Sequence, residues 1–213
     1  MTENGYEYVD LGLPSGTMWA TCNVGADKPE DEGLLFQFGR VNGYKYGDTN
    51  HKFRTNAQNK QDTGNEYTPL TTSGKIYKKN EILDLTDDAA HVHMGGKWRM
   101  PTGSYNPSTR QYKGEWAELL DNTTHEIKTI NGVQCMMFTS NKNGKQLFIP
   151  FMQGYWYNGN FGAAGSYAYV WSSLVHPYAV NYADRLGCYS SGDPGIDYNS
   201  RSFAFSVRGV FQV

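Results

Sequence analysis

The sequence predicts an α+β fold with two short helices and twisted antiparallel sheets joined by many loops, and three observations predict it. The first and last segments, YEYVDLGL and SFAFSVRGVFQV, both alternate in the manner of strands and can pair to close the chain on itself. Two internal segments carry helix signals, and the 24 Gly and 8 Pro among 213 residues demand frequent turns.

In chain order, Tyr6 to Leu13 predicts a strand ending in the turn Pro14-Ser15-Gly16, and Thr17 to Cys22 a second. Pro29 to Phe38 predicts a short helical or turn segment, because Pro29 and the acids after it suit a helix N-terminus. Gly43 to Lys79 is a long polar excursion without a placed element. A helix is expected over Leu85 to Met94, with Thr86 as cap, Asp87 and Asp88 in the first turn and Gly95-Gly96 as the stop. Lys97 to Met100 then leaves it extended. Trp116, Leu119 and Leu120 sit at helical spacing and predict the second helix over Gly114 to Asn122. Glu126–Ile130, Gln134–Thr139 and Gln146–Phe151 are expected strands, separated by the hairpin-forming pairs Asn131-Gly132 and Asn143-Gly144. No repeat and no flexible linker interrupts the chain, so residues 1–213 are expected to form a single domain.

Composition excludes several functions. The net charge of −2 provides no field for nucleic-acid phosphates, so no nucleic-acid partner is expected. No stretch is long and apolar enough to span a bilayer, and MTENGYEYVDLGL has neither the basic nor the apolar region of a signal peptide. Export would then depend on another route or on a leader that is no longer present. Cys22, Cys135 and Cys188 lack metal or disulfide spacing and predict isolated thiols. His91 and His93, two residues apart on a helix, would point to different faces, so no metal and no cofactor is expected.

Catalysis has little support. Cys188 lies in a glycine-rich stretch with only His176 near it in sequence. Glu115, Glu118, Asp184, Asp193 and Asp197 could supply a carboxylate pair for sugar hydrolysis, but exposed acids on helix and loop faces account for all five.

One break stands out. Every Lys and Glu lies at or before Lys145, and every Met at or before Met152, whereas eight Tyr fall between Tyr155 and Tyr198 among Ser, Gly and Asn. Binding faces favour Tyr, Ser, Gly, Asn and Arg and disfavour Lys and Glu, whose flexible side chains lose more entropy on contact. A core-lining aromatic segment with glycine turns would share part of this composition. The polar, turn-rich surroundings of Tyr178, Tyr182, Tyr189 and Tyr198 favour exposure.

Taken together, YVDLGLPSGTMWATCNVGA, GGKWRMPT, GEWAELL, NGKQLFIPFMQGYW and SVRGV resemble the bacterial major-paralogous-domain family, which has a C-type-lectin-like fold. These segments span most of the chain outside Gly43 to Leu83. YVWSS followed by FAFSVRGV is similar to the variable proteins of diversity-generating retroelements, among them phage tropism determinants. That resemblance implies mutagenesis of template adenines, chiefly in Asn codons, which cannot become Lys, Glu, Gln, Met or Trp. Within Tyr157 to Arg208 the only residue of those kinds is Trp171. It further implies variable ligand-binding positions at Tyr157, Tyr167, Tyr169, His176, Tyr178, Tyr182, Tyr189, Asp193, Asp197 and Tyr198, within a binding region over 154–208. Trp98, Trp171 and Arg208 would be scaffold.

The calcium-binding loop and Trp-Asn-Asp strand of sugar-binding C-type lectins have no counterpart here, where the strand is Val170-Trp171-Ser172-Ser173. The expected function is a diversified receptor- or ligand-binding protein, without enzyme activity, on a phage virion or bacterial surface and directed at a protein or glycan. A fixed-partner adhesion or glycan-binding module and a glycan-active enzyme are the alternatives.

Overall fold

A computed structural model describes all 213 residues. The chain opens with strands β1 (Thr2–Glu3), β2 (Tyr6–Asp10), β3 (Thr17–Asn23) and β4 (Leu35–Gln37), then helices α1 (Asn56–Thr63) and α2 (Ala89–Met94). A hairpin of β5 (Ser104–Asn106) and β6 (Gln111–Lys113) precedes helix α3 (Glu115–Asn122). Strands β7 (Thr123–Ile130), β8 (Val133–Ser140) and β9 (Gln146–Pro150) form a meander. The last third is all strand: β10 (Gly154–Tyr157), β11 (Asn160–Ala163), β12 (Tyr167–Val175), β13 (Tyr182–Tyr189), β14 (Gly192–Ser200), β15 (Ala204–Ser206) and β16 (Arg208–Gln212).

These strands make a four-stranded sheet in the order β1-β2-β3-β16 and a seven-stranded sheet in the order β11-β10-β15-β12-β13-β14, with β4 also paired to β15. The termini meet where β16 runs antiparallel to β3, Val210 opposite Trp19. What the sequence presents as one final strand is two, because Val207 separates β15 in the larger sheet from β16 in the smaller.

The α+β, C-type-lectin-like class expected from the sequence is corrected: the chain is β-rich, with 42% of residues in strands, 10% in three short helices, and several antiparallel sheets. Glycine, serine and tyrosine at 182–200 look like loop in sequence, yet they pair as β13 and β14 around a tight turn. The expected helix over Leu85 to Met94 begins only at Ala89, because Asp88 rather than Thr86 is the cap. Its carboxylate accepts from His91 N at 2.9 Å and from Met100 N at 2.8 Å. Pro29 to Phe38 contains no helix and ends in β4. Helix α1 lies in the excursion for which no element was expected, and Thr55 and Gln58 close a capping box at its start.

A hydrophobic cluster of 39 buried residues, from Leu11 to Phe211, joins the sheets and helices. Trp19 packs on Trp116 of α3 at 4.7 Å and Trp98 on Phe211 at 4.8 Å. Arg208 is wholly buried among these elements. Its Nε donates to Asn23 Oδ1, Nη1 to Ala20 O and Nη2 to Phe148 O, so no guanidinium nitrogen lacks a partner. Trp98 donates to Glu3 O and Trp171 to Phe36 O, both indoles being fully buried. No helix is long and apolar enough to cross a membrane.

Candidate binding face on the seven-stranded sheet

Side chains alternate across a strand, so the pairing register decides which residues share a face. Tyr167 lies opposite Tyr189, Tyr169 opposite Gly187, Trp171 opposite Arg185, and Arg185 opposite Asp197. Tyr167, Tyr169, Arg185, Tyr189 and Asp197 therefore project from one side.

Aromatic contacts extend this side across the sheet. Tyr157 stacks on Phe203 at 4.1 Å, Phe203 on Phe205 at 5.4 Å, and Phe205 meets Tyr169 edge-on at 5.1 Å. Tyr169 in turn stacks on Tyr167 at 4.7 Å and lies 6.1 Å from Tyr189. Tyr155 joins the row against Phe203. Phe205 and Trp171 are fully buried and form its floor, whereas Tyr155, Tyr157, Tyr167, Tyr169, Tyr189 and Phe203 are half-buried.

Arg185 sits within this row. Its guanidinium lies 3.6 Å from the centre of the Tyr169 ring, and it donates through Nε to Asn199 Oδ1 and through Nη1 to Tyr189 at 3.4 Å. The Asp197 carboxylate is 3.5 Å from Nη2 and is itself largely exposed. Gly187 makes room for this arrangement, since a Cβ there would fall 2.5 Å from Arg185 Nη1 and 2.6 Å from the Tyr189 oxygen. Burial pushes the Tyr169 phenol up to about 12 against the lowering influence of Arg185, and burial raises Tyr167 too. Both rings therefore stay neutral hydrogen-bonding groups at neutral pH.

The remaining candidates lie elsewhere. Asp184 pairs with Tyr198, one residue out of phase with Arg185 and Asp197, which puts Tyr182, Asp184 and Tyr198 on the opposite side. There His176 stacks on Tyr198 at 4.1 Å, and its Nδ1 lies 2.6 Å from Asp184 Oδ1. Tyr178 approaches His176 at 5.6 Å and donates to Asn106 Oδ1. His176 is only 3% exposed, which corrects its expected exposure: it is an interior partner of Asp184. Tyr178 and Tyr198 are 48% and 40% exposed, and Tyr182 is half-buried. Asp193 is exposed near the β13–β14 turn, 3.2 Å from His125 Nε2. The ten positions thus form two groups on opposite sides of β13 and β14, with Asp193 apart, rather than one surface.

Tyr155, Arg185, Asn199, Phe203 and Phe205 were not among the sequence candidates. Tyr155 stands two residues from Tyr157, so strand alternation alone carries its signal. Arg185 and Asn199 become visible only with the register.

The five acids considered for sugar hydrolysis have separate partners. Glu115 binds Arg99 and Thr102, Glu118 binds Ser15, Asp184 binds His176, Asp193 lies by His125, and Asp197 by Arg185. His91 and His93 contact the carbonyls of Trp98 and Val41. The three cysteines are free, and burial raises the pKa of each. No family model matches the chain, and no curated protein and no solved structure matches it.

Proposed function

We propose that the chain is a ligand-binding protein whose contact surface is the tyrosine-lined side of the seven-stranded sheet. The observation that carries this reading is the coincidence of two independent features. The segment without Lys or Glu supplies every strand of the sheet except β4, and its rings form one row from Tyr157 to Tyr189, half-buried apart from Phe205 in the floor. Tyrosines held by a sheet offer large contact area with little side-chain entropy to lose, on a scaffold that stays rigid. The hydroxyls add directional bonds at the rim of the rings, and the nearly buried Arg185 braces Tyr169, Tyr189 and Asp197 from beneath.

The similarity to variable proteins of diversity-generating retroelements supports a finer reading, in which the side chains on this surface were varied by adenine mutagenesis while Trp171 and Arg208 stayed fixed. Tyr157, Tyr167, Tyr169, Tyr189 and Asp197 are then the varied contact residues. The ligand is a protein or glycan receptor.

Two measurements test the reading. Purified chain is screened against a glycan array and intact bacterial cells, and any signal is repeated with Tyr167→Ala and Tyr189→Ala. Each substitution is expected to weaken binding about tenfold without changing the far-ultraviolet spectrum. Unchanged binding in both overturns the assignment of the surface. Sequencing the flanking DNA of several isolates tests the finer reading. Differences confined to adenine-derived codons at the contact positions, with a near-copy of the last third nearby, support it. A single invariant sequence without a copy leaves a fixed-partner binder and removes diversification.

A further inference from the structure

The outer strand of a sheet presents backbone donors and acceptors that no neighbouring strand satisfies. In the meander of β7, β8 and β9, β7 is such a strand and pairs with β8 alone. Thr124 to Thr129 are exposed one after another along it, and Ile127 at its centre is 37% exposed. The turn Asn131-Gly132 fixes which backbone groups face outward. Ile130 and Val133 flank it and exchange the closing bonds of the hairpin, and bonded and non-bonded positions alternate from there. Thr124, Glu126, Lys128 and Ile130 therefore turn their N–H and C=O groups towards β8. His125, Ile127 and Thr129 turn theirs outward, and no turn or loop backbone bonds to them.

The side chains decide which strand can pair there. Glu126 and Lys128 stand on one face, Lys128 Nζ lying 3.3 Å from Glu126 Oε2. A second β7 laid antiparallel along this edge can oppose outward groups to outward groups in registers that overlap most of the strand. Registers on either side of the centre set Glu126 against Glu126 or Lys128 against Lys128, and like charges directly opposite repel. The register centred on Ile127 sets Glu126 against the partner's Lys128 and Lys128 against the partner's Glu126. Charges of alternating sign then occupy the corners of a square, each with an opposite neighbour along its own strand and another across the pair. On the other face Ile127 meets the partner's Ile127, and His125 meets the partner's Thr129. A parallel copy in register would stack Glu on Glu and Lys on Lys. An edge lysine ordinarily repels an incoming strand. Here each copy carries the neutralising acid at the matching position.

We propose that β7 is a pairing edge for a second copy of this chain, antiparallel about Ile127, which joins two three-stranded meanders into one continuous sheet across a twofold axis. The contact lies on a different sheet from the tyrosine-lined surface and does not depend on the function assigned to that surface.

The test is sedimentation of the full chain at pH 7 and low salt, over concentrations from about 1 µM to about 1 mM. The weight-average mass is expected to rise with concentration from 24.0 kDa towards that of a dimer. Glu126→Lys alone, or Lys128→Glu alone, sets like charges against each other at both opposed positions and weakens self-association about tenfold. An equimolar mixture of the two variants restores opposite charges at every opposed position and recovers association, as does the chain carrying both substitutions. A monomer throughout the concentration range overturns the proposal. So does a dimer that the single reversals leave unweakened, or a mixture that associates no better than its components. If a single reversal fails to fold, Ile127→Pro takes its place, because it removes the central outward N–H and no bond to β8. Undiminished association in that variant overturns the proposal equally.

Discussion

The guanidinium of Arg185 lies 3.6 Å from the centre of the Tyr169 ring, and the two side chains come from adjacent strands paired through Tyr169 opposite Gly187. Arg185 is nearly buried, so water does little to weaken the attraction between the cation and the ring face. A double-mutant cycle with Tyr169→Leu and Arg185→Met is expected to give a coupling energy of about 1 to 2 kcal/mol in urea unfolding. A coupling near zero would show that the stacking adds nothing to the packing of each side chain alone.

Trp171 is fully buried beneath the same row and donates to Phe36 O at 2.8 Å. Trp171→Ala leaves a cavity and an unmet carbonyl, and should cost about 3 to 5 kcal/mol. Tyr178→Ala, at an exposed ring, should cost under about 1 kcal/mol. Equilibrium denaturation of both variants checks the contrast, and equal losses would contradict the difference in burial between the two rings.

His176 and Asp184 are both buried, and the second oxygen of Asp184 has no protein partner. Burial already raises the Asp184 pKa, while the hydrogen bond and charge of His176 pull it down. His176→Phe removes that compensation and should destabilise the chain by about 3 to 5 kcal/mol at pH 7. The loss should shrink as pH falls, because protonation of Asp184 relieves the buried charge. A deficit that is constant from pH 7 to pH 4 would assign the cost to packing instead.

Glu32 supplies a pH dependence of its own. It is 7% exposed, and burial raises its pKa from 4.5 to about 7 despite bonds from the Gly154 and Gln153 amides. A carboxyl with a raised folded pKa contributes stability that is full below about pH 4.5 and is lost as pH rises through about 7. Wild type should therefore lose about 1 to 3 kcal/mol relative to Glu32→Gln between pH 4.5 and pH 8. Urea midpoints of both proteins at the two pH values measure it, and parallel curves would contradict the shift.

Local chemistry made parts of this fold legible. Asn131 and Gly132, both at positive φ, turn β7 into β8 as their types suggest. Trp116 and Leu119 at helical spacing locate α3. Helix α1 has Asn59 as its only buried residue, so no apolar period marks it in the sequence and only the Thr55 to Gln58 capping box does. In the binding surface, Tyr167 and Tyr169 share a side by alternation. Tyr182 and Tyr189 are seven residues apart, an odd spacing within one strand that places them on opposite sides. Recognising that required knowing that 182–200 is a hairpin, which its glycines and serines obscured.

The split of the final alternating segment at Val207 bears on how the chain reaches its native state. Strand β15 pairs with β4, β10 and β12, and β16 with β3, so residues 204–212 knit together segments up to about 195 positions apart. Neither sheet can be completed during synthesis until this stretch has left the ribosome, and the edges of β3, β4 and β12 wait unpaired until then. Such edges are sticky. Nascent chains stalled before residue 204 should therefore associate with chaperones or with one another, and emergence of residues 204–212 should trigger a single late, slow folding step.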